Sequence, residues 1–187
     1  NYYTNFDQNV PQVRSLLSED LLKKASELLS FSKPVLMNIE LHVQAPNCKA
    51  IPPHQDNFYH CINPLDGFKF LIPLNFLNLK NGGLAFLDVP RDFPVINHEP
   101  SDMENFSSYI PDNLFKKINK SITSYEYQKG DLSYHYLNSV HFSLGNRSKS
   151  NSLFLVFRFE KINSKQNDLA LMNYSLCVEK HKKILGI

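Results

Sequence analysis

TSYEYQKGDLSYHYLNSVHFSLGNRSKSNSLFLVFRF, residues 123–159, holds runs of strand-forming residues at 123–127, 132–136 and 152–159. They are parted by the turn formers Gly130-Asp131 and Gly145-Asn146. Upstream, strands are expected at 35–43, 68–76 and 84–89. The last two flank Lys80-Asn81-Gly82-Gly83, whose Asn-Gly step suits a tight turn, and are expected to form an antiparallel pair. Helical spacing appears on either side of the strands. Leu21, Leu22, Ala25, Leu28 and Leu29 predict a helix over about 18–31, with Ser18 as its cap and Glu19 and Asp20 in its first turn. Leu169, Met172, Leu176 and Ile184 predict a second over about 168–185, packed on the sheet by that face and stopped by Gly186. Residues 91–120, rich in Pro, Asn, Asp and Ser, show little periodicity apart from a short helix after Pro111. This stretch reads as a long connection, and 97–119 as a mobile lid. The pattern predicts a mainly β fold with flanking helices. A jelly-roll or cupin-like barrel over about 35–160, within one domain of 187 residues, is the expected architecture, with a mixed α+β sandwich as the alternative.

Apolar residues make up 42% of the chain, with 14 Phe and 9 Tyr, enough to build a core. The net charge is only +2 and the basic residues are scattered, so no nucleic-acid footprint is present and a small-molecule substrate is expected. The runs Phe70-Leu71-Ile72-Pro73-Leu74 and Leu153-Phe154-Leu155-Val156-Phe157 fall far short of the roughly 20 residues that span a bilayer, so no membrane partner is expected. The first residues lack the basic start and apolar run of a secretion signal. Cys48, Cys61 and Cys177 are widely spaced with no C-x-x-C pair, which suggests free thiols and a cytoplasmic location.

His54-Gln55-Asp56 carries the chemistry. On extended backbone, residues at i and i+2 project to one side, so the imidazole and the carboxylate can share a metal whose third ligand comes from far along the chain. Two His and one carboxylate on one face of Fe(II) leave positions open for a chelating cosubstrate and for oxygen. Taken alone the triplet is a weak signal, and a solvated loop whose Asp caps a turn is the competing reading.

The second block is Gly130-Asp131, about ten residues of strand and connector, then His141-Phe142-Ser143-Leu144-Gly145-Asn146-Arg147-Ser148. It resembles the distal histidine region of the phytanoyl-CoA dioxygenase family of iron and 2-oxoglutarate oxygenases. Pro53-His54-Gln55-Asp56, followed by a strand and then Asn81-Gly82-Gly83, is similar to that family's first block. The resemblance covers roughly 35–159. It implies a double-stranded β-helix, Fe(II) held by His54, Asp56 and His141, and 2-oxoglutarate as cosubstrate with contacts from Gln55 and Ser143. The implied reaction hydroxylates a small molecule with molecular oxygen, releasing succinate and CO2. Related halogenases have a small residue in place of the carboxylate ligand, so the presence of Asp56 favours hydroxylation over halogenation.

The chain departs from that pattern in its anchor. Family members carry an Arg about eleven residues past the distal His to grip the far carboxylate of 2-oxoglutarate, and here Asn151-Ser152 stands there. Arg147 and Lys149 read as solvated turn residues. Arg158 has the right parity but is expected to lie too far along the strand. The family's Pro-Gly-Ser-His is also absent, replaced by Leu87-Asp88-Val89-Pro90-Arg91. Lys69 is the candidate anchor: it is a charge in an apolar strand, grouped by parity with Leu71, Pro73 and Asn75, and costly to bury unless an anion meets it. Its place fifteen residues after His54 is similar to that of the anchoring Lys in the JmjC-like asparaginyl hydroxylases. An outward Lys guarding an edge strand is the other reading. His42, His60, His98, His135 and His181 read as surface or structural residues, although His60 is close enough to His54 to reach the site. Tyr59, Tyr134 and Tyr136 read as barrel-wall aromatics. Two rival functions remain open: a cupin-like metalloenzyme that does not use 2-oxoglutarate, and a non-catalytic ligand-binding barrel.

Overall fold

Ser18 starts the first long helix as its sequence predicts, since its hydroxyl accepts the Leu21 N–H at 3.2 Å. In the computed structural model, which describes residues 2–63, 65–118 and 120–187, the helices are α1 (Phe6–Asn9), α2 (Glu19–Leu28), α3 (Asn57–His60), α4 (Asp112–Ile118) and α5 (Asp168–Leu185). The strands are β1 (Tyr2–Tyr3), β2 (Pro34–Gln44), β3 (Ile51–His54), β4 (Gly67–Pro73), β5 (Leu84–Leu87), β6 (Glu99–Met103), β7 (Phe106–Tyr109), β8 (Ile122–Ser124), β9 (Ser133–Tyr136), β10 (His141–Ser143) and β11 (Ser152–Lys161).

A larger antiparallel sheet runs β1-β2-β11-β4-β9 and a smaller one β3-β10-β5-β8. From β2 to β5 and again from β8 to β11 the chain alternates between the sheets, which makes the fold a double-stranded β-helix. Strand parity divides the larger sheet. Ile39, Phe68, Phe70, Leu155, Phe157 and Phe159 pack outward against Leu21, Ala25, Leu28 and Leu29 of the α2 region, all of them buried. Burying each such large apolar side chain contributes about 2 kcal/mol. The alternate residues, Glu40, His42, Lys69, Leu71, Phe154 and Val156, line a cavity between the sheets. One face of these strands therefore holds the core and the other carries chemistry.

Three expectations need correction. β4 and β5 do not pair, because β4 belongs to the larger sheet and β5 to the smaller, so Lys80-Asn81-Gly82-Gly83 carries the chain from one sheet to the other. That turn is tight: Gly82 has φ +103°, and a Cβ on Gly83 would stand 2.6 Å from the Asn78 carbonyl oxygen. Residues 91–120 include a hairpin, β6 with β7, as well as α4. Asn119, the end of the expected lid, lies outside the described residues. The hairpin does border the cavity, through Asp102 to Ser107. Tyr59 Oη donates to Ser108 O at 2.6 Å and Ile110 N to Pro53 O at 2.7 Å, which joins the hairpin to β3 and α3. The third correction concerns α5. Its expected packing face is exposed, with Leu169, Met172, Leu176 and Ile184 between 49% and 64% accessible, whereas Cys177 and His181 are buried. The helix packs on β6, β7 and α3 instead of the sheet, and His181 Nδ1 donates to Ser101 O at 2.6 Å. Its ends match the sequence: Asn167 caps the Ala170 N–H and Gly186 sits at φ 74°. The three cysteines are free thiols. Among the described residues, no helix is long and apolar enough to cross a membrane.

Candidate metal centre

β3 and β10 are neighbours, and their register sets His54 directly opposite His141. Sheet pairing thus brings two sequence-distant imidazoles together, with ring centroids 4.2 Å apart. Asp56 follows β3 at the start of α3. Its carboxylate makes no capping bond there and turns instead into the cavity. The His54 and His141 Nε2 atoms stand 4.0 and 3.8 Å from the Asp56 oxygens, and one ligand atom from each of the three residues lies within 4.8 Å of the others.

Backbone carbonyls fix both rings. His54 Nδ1 donates to Pro52 O at 2.9 Å and His141 Nδ1 to Ser139 O at 3.1 Å, so in each neutral ring the proton sits on Nδ1 and Nε2 keeps its lone pair. Burial lowers the pKa of His54 and pushes that of His141 well below the usual range, which keeps both rings neutral. Asp56 behaves in the opposite way: burial alone would raise its pKa, but the Lys69 ammonium and the hydrogen bond from His135 hold it well below the carboxylate range. Two bare imidazole nitrogens and one ionised carboxylate at one point form a donor set suited to a divalent metal. The cavity beside it, about 1270 Å³, is walled near His54 by Phe106 and Tyr59, with ring centroids 5.0 and 5.9 Å away.

Lys69 and His135 were placed by the same logic of register. They face each other across β4 and β9, both toward the cavity and both within reach of Asp56. Lys69 Nζ donates to Asp56 Oδ1 at 3.0 Å, and His135 Nε2 lies 3.2 Å from Oδ2. Burial lowers the Lys69 pKa, but the carboxylates of Asp56 and Glu40 outweigh it and keep an ammonium there. Arg158 is directly opposite Lys69 on β11, so it is not too far along the barrel, contrary to expectation. Its guanidinium holds His60 and lies 3.5 Å from Glu160. Ser152 is buried opposite Gln44, and Arg147 and Lys149 are exposed.

Two residues implied as cosubstrate contacts face elsewhere. The Gln55 amide is wholly buried and spans two loops, donating to Pro94 O and Asn138 O at 3.0 and 2.7 Å and accepting from Ile96 N at 2.8 Å. Ser143 Oγ donates to Gly82 O at 3.2 Å and accepts from Gly145 N at 3.3 Å. Neither residue lines the cavity, because each is used to hold turns together around the site. His135, read from the sequence as structural or surface, proves to touch the site. The only signal for it in the sequence was parity with the strand opposite Lys69, which requires knowing that β4 and β9 pair. His42 and His60 also line the cavity, while His98 accepts the Gln55 N–H at 3.0 Å in a structural role.

No protein-family model matches the chain, and no curated protein matches it. Solved structures do. EvdO2 from Micromonospora carbonacea var. aurantiaca, crystallised with 2-oxoglutarate, superposes with a TM-score of 0.73 at 17% identity, over 89% of this chain and 68% of that one. The epimerase SnoN, in complex with Fe3+, alpha ketoglutarate and nogalamycin RO, gives 0.71 at 15% identity over 88% and 64%. SnoK, a non-heme alpha ketoglutarate dependent carbocyclase from nogalamycin biosynthesis, gives 0.70 at 16% identity over 88% and 65%. The chain shares their fold. It spans about two thirds of the length of these three proteins.

Proposed function

We propose that this chain is a single-domain, mononuclear non-haem iron(II) oxygenase that uses 2-oxoglutarate to oxidise a small molecule. The observation that carries the reading is the locked pair of histidines: two Nδ1–H groups held by carbonyls leave two Nε2 lone pairs beside an ionised, uncapped carboxylate. The shared fold adds support, since structures of that fold have been crystallised with 2-oxoglutarate and with iron. In this reading His54, Asp56 and His141 bind the metal on one face, and His135 and Lys69 hold the two oxygens of Asp56 in place. Lys69 has a further task. An ammonium has three donors, and Asp56 takes one, so the others are free to anchor the distal carboxylate of 2-oxoglutarate where Ser152 offers no charge. Phe106 and Tyr59 exclude water from the His54 side. Bound iron and 2-oxoglutarate supply, with molecular oxygen, the oxidation of a C–H bond while the cosubstrate becomes succinate and CO2. With Asp56 filling the carboxylate position, hydroxylation is the expected outcome.

Turnover of 2-oxoglutarate to succinate should require both Fe(II) and oxygen. A chelator is expected to reduce succinate release to background, Fe(II) to restore it, and Zn(II) to leave it at background, because zinc has no redox chemistry. Succinate release that survives complete metal removal would overturn the proposal.

A further inference from the structure

One end of the cavity is bordered by a buried donor that no described residue satisfies. His60, at the end of α3, lines the cavity, and its Nδ1 is bonded to Arg158 Nη1. A guanidinium can only donate, so Nδ1 is the acceptor and the single proton of the neutral ring sits on Nε2. Burial, with the nearby charges of Lys69 and Arg158, lowers the His60 pKa to about 3, so the ring is neutral. His60 Nε2 is buried and has no hydrogen-bond partner among the described residues. Leaving such a donor unpaired is costly, and a ligand oxygen would satisfy it. Lys69 points into the same end of the cavity from the strand position opposite Arg158. Glu40 also borders it, but its oxygens already accept from Asn38 Nδ2 and His42 Nε2, both at 2.8 Å.

We infer that His60 is a second donor to the distal carboxylate of the cosubstrate, oriented by Arg158, so that with Lys69 it selects a 2-oxo dicarboxylate over a 2-oxo monocarboxylate. The inference rests on the cosubstrate reading above and assigns its anionic end. The carboxylate receives one point charge from Lys69 and one directional N–H from a neutral ring. Arg158, which does not line the cavity, is a positioning residue: it holds the ring and keeps its proton on Nε2.

The test is anaerobic titration of the Fe(II) protein with 2-oxoglutarate and with 2-oxovalerate, which chelates identically but lacks the distal carboxylate, following the visible charge-transfer band. His60→Ala should weaken 2-oxoglutarate by about ten- to a hundredfold and leave 2-oxovalerate unchanged, as expected for losing a hydrogen bond to a charged group. His60→Asn, which retains an N–H donor, should recover part of the loss, and Arg158→Met should narrow the preference less than His60→Ala does. Equal weakening of both acids in His60→Ala would indicate a merely structural role and overturn the inference. If Lys69→Ala narrows the preference while His60→Ala leaves it at the wild-type value, the inference fails and the cosubstrate reading stands. A wild-type protein that shows no band with either acid overturns both.

Discussion

Asp56→Ala is expected to abolish iron binding and, separately, to destabilise the metal-free protein. The first effect follows from removing the only anionic ligand of the trio. Loss of partners that merely orient ligands costs about 10- to 100-fold in metal affinity, so loss of the carboxylate itself should exceed that range. The second follows from the pairs Asp56 makes with Lys69 and His135, at 3.0 and 3.2 Å. Lys69 and Asp56 have side chains only 11% and 7% exposed, and removing one member of a buried pair leaves the other charge uncompensated, at a cost of about 3 kcal/mol or more. Urea unfolding of the metal-free variants measures it. Asp56→Ala should lower the midpoint with little change in slope. A midpoint equal to that of the wild type would mean that the pair contributes nothing and that Asp56 is not the charged centre of the site.

Lys69→Ala should raise the 2-oxoglutarate requirement by about 100-fold or more, because truncating one partner of a buried, hydrogen-bonded charge pair costs 2–5 kcal/mol or more. Iron affinity should fall much less, by about tenfold, since Lys69 braces Asp56 without reaching the metal's donor set. The two effects separate by titrating iron and cosubstrate independently. Arg158→Ala is the comparison: its guanidinium is hydrogen-bonded to His60 and does not line the cavity, so its effect on 2-oxoglutarate should be the smaller one. Were Arg158→Ala to lose cosubstrate affinity while Lys69→Ala kept it, the anchor would be on β11 rather than β4.

The elements whose local chemistry decides their structure were legible in the sequence. α2 has its cap in Ser18 and its apolar stripe in Leu21, Ala25 and Leu28, and all of these act as their spacing suggests. His54 and Asp56 were readable because they are near neighbours in sequence, although Asp56 reaches the site from the helical start of α3 and not from extended backbone as expected, whereas the meeting of His141 with them is a matter of register between β3 and β10. Features that depend on long-range pairing were not legible. His135 reaches Asp56 only because β9 lies beside β4, and Arg158 comes opposite Lys69 only because β11 lies on the other side of that strand. The β6–β7 hairpin escaped because Glu99-Pro100-Ser101-Asp102 contains residue types depleted in strands, and it forms an isolated two-stranded sheet. α5 turns a different face inward from the one its apolar spacing predicts, because its partner is that polar hairpin. A hydrogen bond from His181 to Ser101 O helps to orient it there, and Leu169, Leu171 and Leu176 are exposed. Gln55 and Ser143 stand at the sequence positions of the implied contacts, but four loop segments compete for their hydrogen bonds: the Gln55 amide goes to 94–96 and 138, and the Ser143 hydroxyl to Gly82 and Gly145.

One metal ion is expected to be held by His54, Asp56 and His141 together. A crystal structure of the protein grown anaerobically with Fe(II), or with Mn(II) as its redox-inert substitute, tests it through the anomalous signal of the ion. A single strong peak is expected within about 2.5 Å of His54 Nε2, His141 Nε2 and one Asp56 oxygen, with both Nδ1–H bonds to Pro52 and Ser139 intact. A peak bound elsewhere, or a fully formed trio that stays metal-free at saturating Fe(II), would contradict it.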